Sequence, residues 1–341
     1  MLKCTLSLSE IQRAQEIIDS SKNIVLSTHQ SPDGDAVGSV GAMSQLLKAL
    51  NKNVKVVFPD DVPSNLNWVP GTQSALVFKQ DSNGVEQAMS EADLLIILDY
   101  NHLGRIGDGV KKCIERNLDH LKVILIDHHE QPAEFPQVIY SDTSICSTCE
   151  MVFHFAGAMN WLEKLDVPIM EAIYCGMMTD TMSFRFPSVT AETHEIVSFM
   201  MKKGLKPHVV HEQVHDVQRL EKIKLTGFAL SNGLHVLEKY KAAYIVLTKA
   251  ELDEFTPQPG DTEGLVNMAL SIEGTTIAAF FREDEGCVRI SFRSKGTRDV
   301  NKMARAYFNG GGHKNAAGAR MHEPLNDVIQ KFHHLLESNE I

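Results

Sequence analysis

Apolar segments that end in acidic or histidine residues are the feature that most constrains how this chain folds. Runs of this kind suit parallel strands that are buried on both faces, and functional side chains in open α/β sheets gather beyond the carboxyl ends of such strands. We therefore expect the polar groups that follow the runs to share one edge of a sheet. The segments are Ile24–Thr28 before His29, Asp33 and Asp35; Leu94–Leu98 before Asp99; Val123–Ile126 before Asp127, His128 and His129; and Ala172–Met178 before Asp180.

The N-terminal half alternates strand-like runs with helical patterns. Strands are predicted at about 23–28, 53–58, 94–99, 122–127 and 137–141, and helices at about 35–50, 85–92 and 108–117. This alternation is typical of βαβ units and predicts an α/β fold whose mostly parallel sheet is flanked by helices. The small residues between Gly34 and Gly41 also predict that the helix at 35–50 packs closely on the sheet.

The rest of the chain predicts a helical connector and a second, smaller domain. Helical patterns cover about 146–162, 168–179, 190–203 and 207–231, and strand candidates follow at 235–240, 243–247, 276–282 and 288–293. Two further helices are predicted at 299–308 and 324–338. We therefore divide the chain into an N-terminal domain at 1–187, a connector at 188–231 and a C-terminal α+β domain at 232–341.

Composition excludes some classes of function. The formal charge of −11 over 341 residues argues against a protein that binds long duplexes, because duplex affinity comes largely from Lys and Arg on phosphates. A small anionic substrate remains compatible with this charge. No apolar stretch approaches the roughly 20 residues that span a bilayer, and the N-terminus lacks the pattern of a signal peptide. We therefore expect a cytoplasmic protein without a membrane partner.

The residues at the ends of the apolar runs predict a metal centre. Carboxylates outnumber imidazoles and no thiolate takes part, a set that suits Mn²⁺ or Mg²⁺ better than structural Zn²⁺. Two ions about 3.5–4 Å apart would need a bridging carboxylate and could activate a water. Asp99, alone at its strand end, is the natural bridge. A single acid after a strand is usually a helix cap or a turn residue, so the prediction depends on four segments sharing the pattern.

These segments resemble the motifs of a known superfamily. His29–Ser39, Asp99, Asp127–His129 and Thr179–Thr181 resemble the four motifs of the DHH phosphoesterases, which include RecJ exonucleases and family II pyrophosphatases. Toward the C-terminus, Ser291–Ser294, Asp299–Asn301 and Gly310–Gly318 resemble the DHH-associated substrate-binding domain. Glu263–Asn267 and Ile272–Gly274 resemble the bacterial nano-RNase and pAp phosphatase branch. The resemblance covers nearly the whole chain.

The resemblance implies a role for each residue of the predicted centre. One ion would be held by His29, Asp33 and Asp99, and the other by Asp35, Asp99, His128 and Asp180. His129 would contact phosphate and donate a proton, and Asp127 would orient the histidine pair through a hydrogen bond. Mn²⁺ is the favoured ion, with Mg²⁺ or Co²⁺ as alternatives.

The C-terminal domain is expected to bind substrate. Gly310, Gly311 and Gly312 offer backbone N–H groups that can approach a phosphate closely, and His313 can donate a further bond. Without the family, three glycines predict only a loop. Arg293 and Ser294, at the end of a strand-like run, could meet the same anion, and Arg105 is a weaker candidate. By resemblance, this domain binds the terminal phosphate and base of the substrate, and the active site is the cleft between the domains.

The resulting hypothesis is a Mn²⁺-dependent phosphohydrolase that degrades very short oligoribonucleotides to mononucleotides and dephosphorylates pAp. A phosphodiesterase for cyclic di-AMP or pApA would share every catalytic residue and is the alternative within enzymes. Inorganic pyrophosphatase is disfavoured because the Gly-Gly-Gly-His ending differs from the basic C-terminal motif of that branch. A catalytically silent nucleotide-binding protein is the alternative from another class. The sequence leaves open the preferred substrate and whether the chain forms a homodimer.

Overall fold

The structure, a computed structural model, describes residues 4–258 and 260–338 of the chain. It forms two compact units that divide after Val217. The division falls inside the segment 188–231 that we predicted as a connector. Two helices of that segment belong to the first unit and the last helix belongs to the second.

The first unit contains a parallel sheet flanked by helices, which confirms the predicted α/β class. Its strands are β1 (Asn23–Ser27), β2 (Asn53–Phe58), β3 (Leu76–Val77), β4 (Leu94–Leu98), β5 (Lys122–Asp127) and β6 (Val138–Ser141). Its helices are α1 (Leu8–Ser20), α2 (Gly34–Lys48), α3 (Ser82–Ser90), α4 (Asp108–Asn117), α5 (Thr148–Ala158), α6 (Val167–Asp180), α7 (Ala191–Lys202) and α8 (Pro207–His215). Helix α1 and the two-residue strand β3 were not predicted from the sequence.

Strand order explains where the polar ends of the strands meet. The sheet runs β3-β2-β1-β4-β5-β6 and all its pairs are parallel. Leu94, Ile96 and Leu98 of β4 enter one hydrophobic cluster, while Leu95 and Ile97 enter the cluster on the other face. Burial on both faces accounts for the uninterrupted apolar run. The order reverses between β1 and β4, and the crevice beyond the carboxyl ends at such a reversal is where ligands bind in open α/β sheets.

Glycines bring three helices of this unit into close contact. A Cβ on Gly38 of α2 would lie 2.4 Å from the carbonyl oxygen of Ala172 in α6. A Cβ on Gly176 of α6 would lie 2.2 Å from Cys149 Sγ in α5. We predicted that α2 packs closely on the sheet, and α2 does contact β1, β2 and β4. In addition, Gly38 allows close contact with helices α5 and α6.

The second unit is an α+β fold with a mixed sheet, as predicted. Its strands are β7 (Leu234–Leu237), β8 (Ala242–Leu247), β9 (Ile277–Asp284), β10 (Cys287–Ser294), β11 (Gly311–His313) and β12 (Ala316–Met321). Its helices are α9 (Leu220–Asn232), α10 (Lys249–Asp253), α11 (Leu265–Leu270), α12 (Val300–Tyr307) and α13 (Leu325–Ser338). The sheet runs β11-β12-β10-β9-β8-β7, with β8 and β9 parallel and the other pairs antiparallel.

The glycine segment is a strand, which corrects the prediction of a loop. Gly311–His313 forms the edge strand β11 and pairs with β12. A Cβ on Gly310 would lie 2.1 Å from the Gly318 carbonyl oxygen, and one on Gly312 would lie 2.4 Å from the Ala316 carbonyl oxygen. These two glycines are therefore required by the close approach of the neighbouring strand.

None of the helices within residues 4–258 and 260–338 combines the length and the apolar character that crossing a bilayer requires.

Candidate metal centre

Side chains from several elements of the first unit converge beyond the carboxyl ends of β1, β4 and β5. Asp127 is the last residue of β5 and Asp99 directly follows β4. Asp180 differs from the others, because it is the last residue of helix α6 rather than the end of a strand. The converging residues are the eight that we predicted, namely His29, Asp33, Asp35, Asp99, Asp127, His128, His129 and Asp180.

Asp99 lies at the middle of the cluster, and each of its two carboxylate oxygens lies near a different imidazole. Its Oδ2 is 3.3 Å from His29 Nε2, and its Oδ1 is 3.6 Å from His128 Nε2. Three sets of side chains in this unit place their ligand atoms within 4.8 Å of one another: His29, Asp33 and Asp99; Asp35, Asp99 and His128; and Asp99, Asp127 and His129. Asp99 is common to all three, and the first two belong to the predicted ligand sets. This is the arrangement that a bridging ligand requires.

The backbone at Asp99 is strained. Its φ is +65°, in the left-handed region that few residues other than glycine adopt. Such conformations cost about 1–3 kcal/mol and cluster at functional sites. The strain therefore accompanies the residue that both ligand sets share.

The pKa values of two carboxyl groups in the cluster are shifted in opposite directions. Burial raises the pKa of Asp35 well above its usual range, and the negative charges of Asp99 and Asp180 raise it further. Burial also opposes ionisation of Asp99, but the hydrogen bond and the charge of His29 outweigh it, so the pKa of Asp99 is lowered. For His29, burial lowers the pKa, but contact with Asp99 and the charge of Asp33 leave it raised. The cluster thus concentrates negative charge in a buried place, where a cation would compensate it.

Asp127 and His129 form a hydrogen-bonded pair at the side of the cluster. His129 Nδ1 is 2.7 Å from Asp127 Oδ1, and the His129 backbone N–H donates to Asp127 Oδ2 at 3.1 Å. Burial raises the pKa of Asp127 to about 7, and the charge of Asp99 adds to this rise. Both carboxylate oxygens of Asp127 therefore hold His129, and the ring is fixed in orientation.

The donor set fits hard divalent cations. Carboxylate oxygens and imidazole nitrogens suit Mg²⁺ and Mn²⁺, whereas structural Zn²⁺ prefers thiolates. Cys146 and Cys149 lie nearby, but burial raises the pKa of both thiols, and the charges of Glu150 and Asp35 raise them further. Both thiols are therefore protonated at neutral pH when no ion is bound. The residues present can hold divalent metal ions.

Arg105 lies beside the centre, at the end of the 3₁₀ turn Leu103–Arg105. Its carbonyl accepts a hydrogen bond from the backbone N–H of Gln30 at 2.8 Å, which ties this turn to the segment that carries His29. Its positive charge acts on His29, Asp99 and Asp127. The predicted phosphate contact thus lies close to the acidic cluster, and its role stays a prediction.

Three predicted binding groups of the second unit have structural partners of their own. The Ser294 hydroxyl donates to the Arg298 carbonyl at 2.8 Å and accepts from Asn315 Nδ2 at 2.8 Å. The Gly312 N–H donates to Asn301 Oδ1 at 3.0 Å. Arg293 Nη1 donates to the Phe292 carbonyl at 3.0 Å.

Asn301 and Arg305 lie beside strand β11, and no individual role was predicted for either residue. Asn301 Oδ1 accepts from Arg305 Nε at 3.0 Å as well as from Gly312, and a Cβ on Gly311 would lie 3.7 Å from the Arg305 guanidinium. Asn301 was part of a quoted motif, which was the only available signal. Gly311 has room that Gly310 and Gly312 lack.

The first turn of helix α5 contacts the centre, and no role was predicted for it, although a helix was expected at about 146–162. The backbone N–H groups of Thr148 and Cys149 donate to the two oxygens of Asp35, and the Thr148 hydroxyl lies 3.1 Å from Asp99 Oδ1. A signal was present, because Ser147 followed three residues later by Glu150 is the pattern of a helix N-terminus. It marks where the helix begins but not which residues its first turn contacts.

Comparison with known proteins places the chain in a family. Residues 23–177 match the model of the DHH family N-terminal domain, and residues 239–338 match the DHHA1 domain. An exopolyphosphatase-related protein from Bacteroides fragilis is 33% identical in sequence, and its crystal structure superposes with a TM-score of 0.92 over 99% of this chain and 98% of that one. The chain belongs to the DHH family. The resemblance inferred from the motifs is thereby confirmed.

Two further proteins resemble this chain over most of its own length. The bifunctional oligoribonuclease and PAP phosphatase NrnA of Bacillus subtilis is 28% identical over 317 residues, which cover 92% of this chain and 93% of the relative. RecJ of Thermus thermophilus in complex with Mn²⁺ is 15% identical, with a TM-score of 0.53 over 99% of this chain and 55% of RecJ, and supports the fold alone. The protein is a phosphoesterase of this family.

Proposed function

We propose that this protein hydrolyses very short oligoribonucleotides to mononucleotides and removes a phosphate from pAp, with two divalent ions of which Mn²⁺ is favoured. The observation that carries the proposal is that one carboxylate oxygen of Asp99 lies near His29 and the other near His128. The relative from Bacillus subtilis, named for both activities, supports the choice of substrates. A cytoplasmic location and a homodimer stay predictions.

The ligand sets suggest how the ions would be held. His29, Asp33 and Asp99 would hold one ion, and Asp35, Asp99, His128 and Asp180 would hold the other. When bound, two such ions activate a water as nucleophile and neutralise charge on the phosphoryl oxygens. Burial and the neighbouring carboxylates raise the pKa of Asp35, and a bound cation would offset this rise by favouring the ionised ligand.

The remaining residues of the centre would move a proton and hold the phosphate. His129 Nδ1 faces Asp127, so Nε2 is the ring nitrogen that would donate a proton to the leaving oxygen. Asp127 would keep the ring in place and favour its protonated form. Arg105 would contact the phosphate, since a guanidinium offers two parallel donors to an anion.

The second unit would recognise the other end of the substrate. Our predicted set is Arg293, Ser294, Gly310, Gly311, Gly312 and His313. Within it, the Gly312 N–H and the Ser294 hydroxyl already have protein partners. We expect Arg293, His313 and the backbone of Gly311 to bind the terminal phosphate, because charged donors bond strongly to phosphate and a glycine lets an anion approach the chain closely. Substrates with a second phosphate, such as pAp and pApA, would use them.

A panel of substrates tests the proposal. The protein with Mn²⁺ is incubated with pAp, very short RNA, pApA and cyclic di-AMP, and the products are separated by chromatography. We expect turnover of pAp and short RNA to exceed that of cyclic di-AMP. Fastest turnover of the cyclic dinucleotide or pApA would favour the phosphodiesterase alternative. Binding without turnover of any substrate would favour a silent nucleotide-binding protein and would contradict the proposal.

A further inference from the structure

The first turn of helix α5 donates hydrogen bonds to two carboxylates of the metal centre. Thr148 N–H donates to Asp35 Oδ2 at 2.7 Å, and Cys149 N–H donates to Asp35 Oδ1 at 2.8 Å. The Thr148 hydroxyl donates to Asp99 Oδ1 at 3.1 Å. Thr148 thus donates hydrogen bonds to both Asp35, at the start of α2, and Asp99, directly after β4.

Local structure explains why these donors are available. Ser147 caps the helix by accepting from the backbone N–H of Glu150 at 3.1 Å. Thr148 and Cys149 follow the cap, where backbone N–H groups have no partner within the helix and the helix dipole favours an anion. Thr148 is fully buried, so water cannot replace a lost contact. The hydroxyl must donate to Asp99, because an ionised carboxylate can only accept.

The two oxygens of Asp99 face different ligand sets. Oδ1, which accepts from Thr148, is the oxygen 3.6 Å from His128 Nε2. Oδ2 is the oxygen 3.3 Å from His29 Nε2. A change at Thr148 therefore acts on the side of the centre that contains Asp35 and His128.

We propose that Thr148 is a positioning residue that orients Asp35 and Asp99 for the ion on the His128 side. The inference rests on the proposed two-ion function. Removing the hydroxyl leaves both N–H bonds to Asp35 in place but takes a donor from the buried Asp99 carboxylate. Loss of a hydrogen bond that orients a metal ligand lowers metal affinity by about 10–100-fold.

Thr148→Val is the test variant, because it replaces the hydroxyl with a methyl group of similar size. Thr148→Ser restores the donor and should recover binding. Thr193→Val is the matched control. Thr193 is equally buried, and its hydroxyl donates to Glu150 Oε2 at 3.0 Å rather than to a residue of the centre.

Two background variants separate the ions. Asp33→Asn weakens the set that contains His29, and Asp180→Asn weakens the set that contains His128. Both side chains are partly exposed, at 44% and 31%, so each substitution should leave the fold intact. Affinity for Mn²⁺ is measured by isothermal titration calorimetry in each background with and without Thr148→Val, and circular dichroism checks folding.

We expect Thr148→Val to weaken Mn²⁺ binding at least about tenfold in the Asp33→Asn background and much less in the Asp180→Asn background. Thr148→Ser should bind as the background does, and Thr193→Val should leave Mn²⁺ affinity unchanged. Equal losses in both backgrounds, or no loss in either, would overturn the positioning role while leaving the two-ion centre in place. If neither background binds Mn²⁺, the proposed function fails and this inference with it. Should Thr148→Val not fold, Thr148→Ala carries the same comparison.

Discussion

Replacing Gly176 of helix α6 by alanine adds one methyl group and tests how closely the metal centre is packed. A Cβ at this position would lie 2.2 Å from Cys149 Sγ and 2.6 Å from Asp35 Oδ1. Since favourable contacts between heavy atoms lie near about 3.5–4.0 Å, both neighbours would have to move by about an ångström. Overpacking a well-packed core costs about 1–3 kcal/mol.

The magnitude follows from two opposing effects. Replacing Gly by Ala inside a helix favours the helix by about 1 kcal/mol, which offsets part of the overpacking. Asp35 is held by two backbone N–H groups and yields poorly, so we place the clash at the upper end of its range. Gly176→Ala should therefore lower the free energy of unfolding by about 1–2 kcal/mol. It should also weaken Mn²⁺ binding, because Asp35 is displaced.

Urea denaturation in the presence of a chelator, followed by circular dichroism, measures the stability change. Gly227→Ala is the control, since Gly227 lies in helix α9 and a Cβ there meets no atom within 4 Å. It should gain about 0.5–1 kcal/mol. Adding Cys149→Ala to Gly176→Ala removes the sulfur, so the two changes should couple favourably. The reasoning is refuted if Gly176→Ala is as stable as Gly227→Ala, or if the double variant shows simple additivity.

Three further predictions concern the ions and the second unit. Activity lost to a chelator should return better with Mn²⁺ than with Zn²⁺ or Ca²⁺ in a turnover assay, and full activity of the metal-stripped protein would contradict a metal mechanism. Arg293→Ala and His313→Ala should slow hydrolysis of pAp by about tenfold or more, since bonds to a charged phosphate are strong. Both should hardly affect bis-p-nitrophenyl phosphate, which has no second phosphate, and equal losses on both esters would show that our division of roles is wrong. Gly312→Ala should lower the melting temperature, whereas Gly311→Ala should not. The reason is that φ at Gly312 is +154° and a Cβ there would lie 2.4 Å from the Ala316 carbonyl oxygen. Equal changes in melting temperature for the two variants would contradict the account of strand β11.

The sequence predicted which eight side chains converge because that information is local. Strand β4 is buried on both faces, so it reads as an uninterrupted apolar run with Asp99 directly after it. In a parallel sheet, the residues that follow neighbouring strands must meet at one edge. Asp180 follows a helix rather than a strand, yet it reaches the same edge because Gly38 and Gly176 allow the helices to pack closely.

Contacts between distant segments could not be predicted in the same way. Thr148 bonds to Asp35, which lies 113 positions earlier, and no pattern in the sequence links the two. The glycines before His313 predict a loop by composition. Only the pairing of that segment with β12, where Gly312 meets Ala316, reveals a strand and the reason for its glycines.

The number of Mn²⁺ ions bound by wild type and by Asp99→Asn tests the central claim most directly. Metal content after dialysis against Mn²⁺ and affinity from isothermal titration calorimetry are measured alongside hydrolysis of pAp. If Asp99 serves both ligand sets, wild type binds two ions, and the single substitution weakens both and abolishes hydrolysis. Two ions bound to Asp99→Asn with unchanged affinity would contradict the account, as would hydrolysis within about tenfold of wild type, which corresponds to about 1.4 kcal/mol in the barrier.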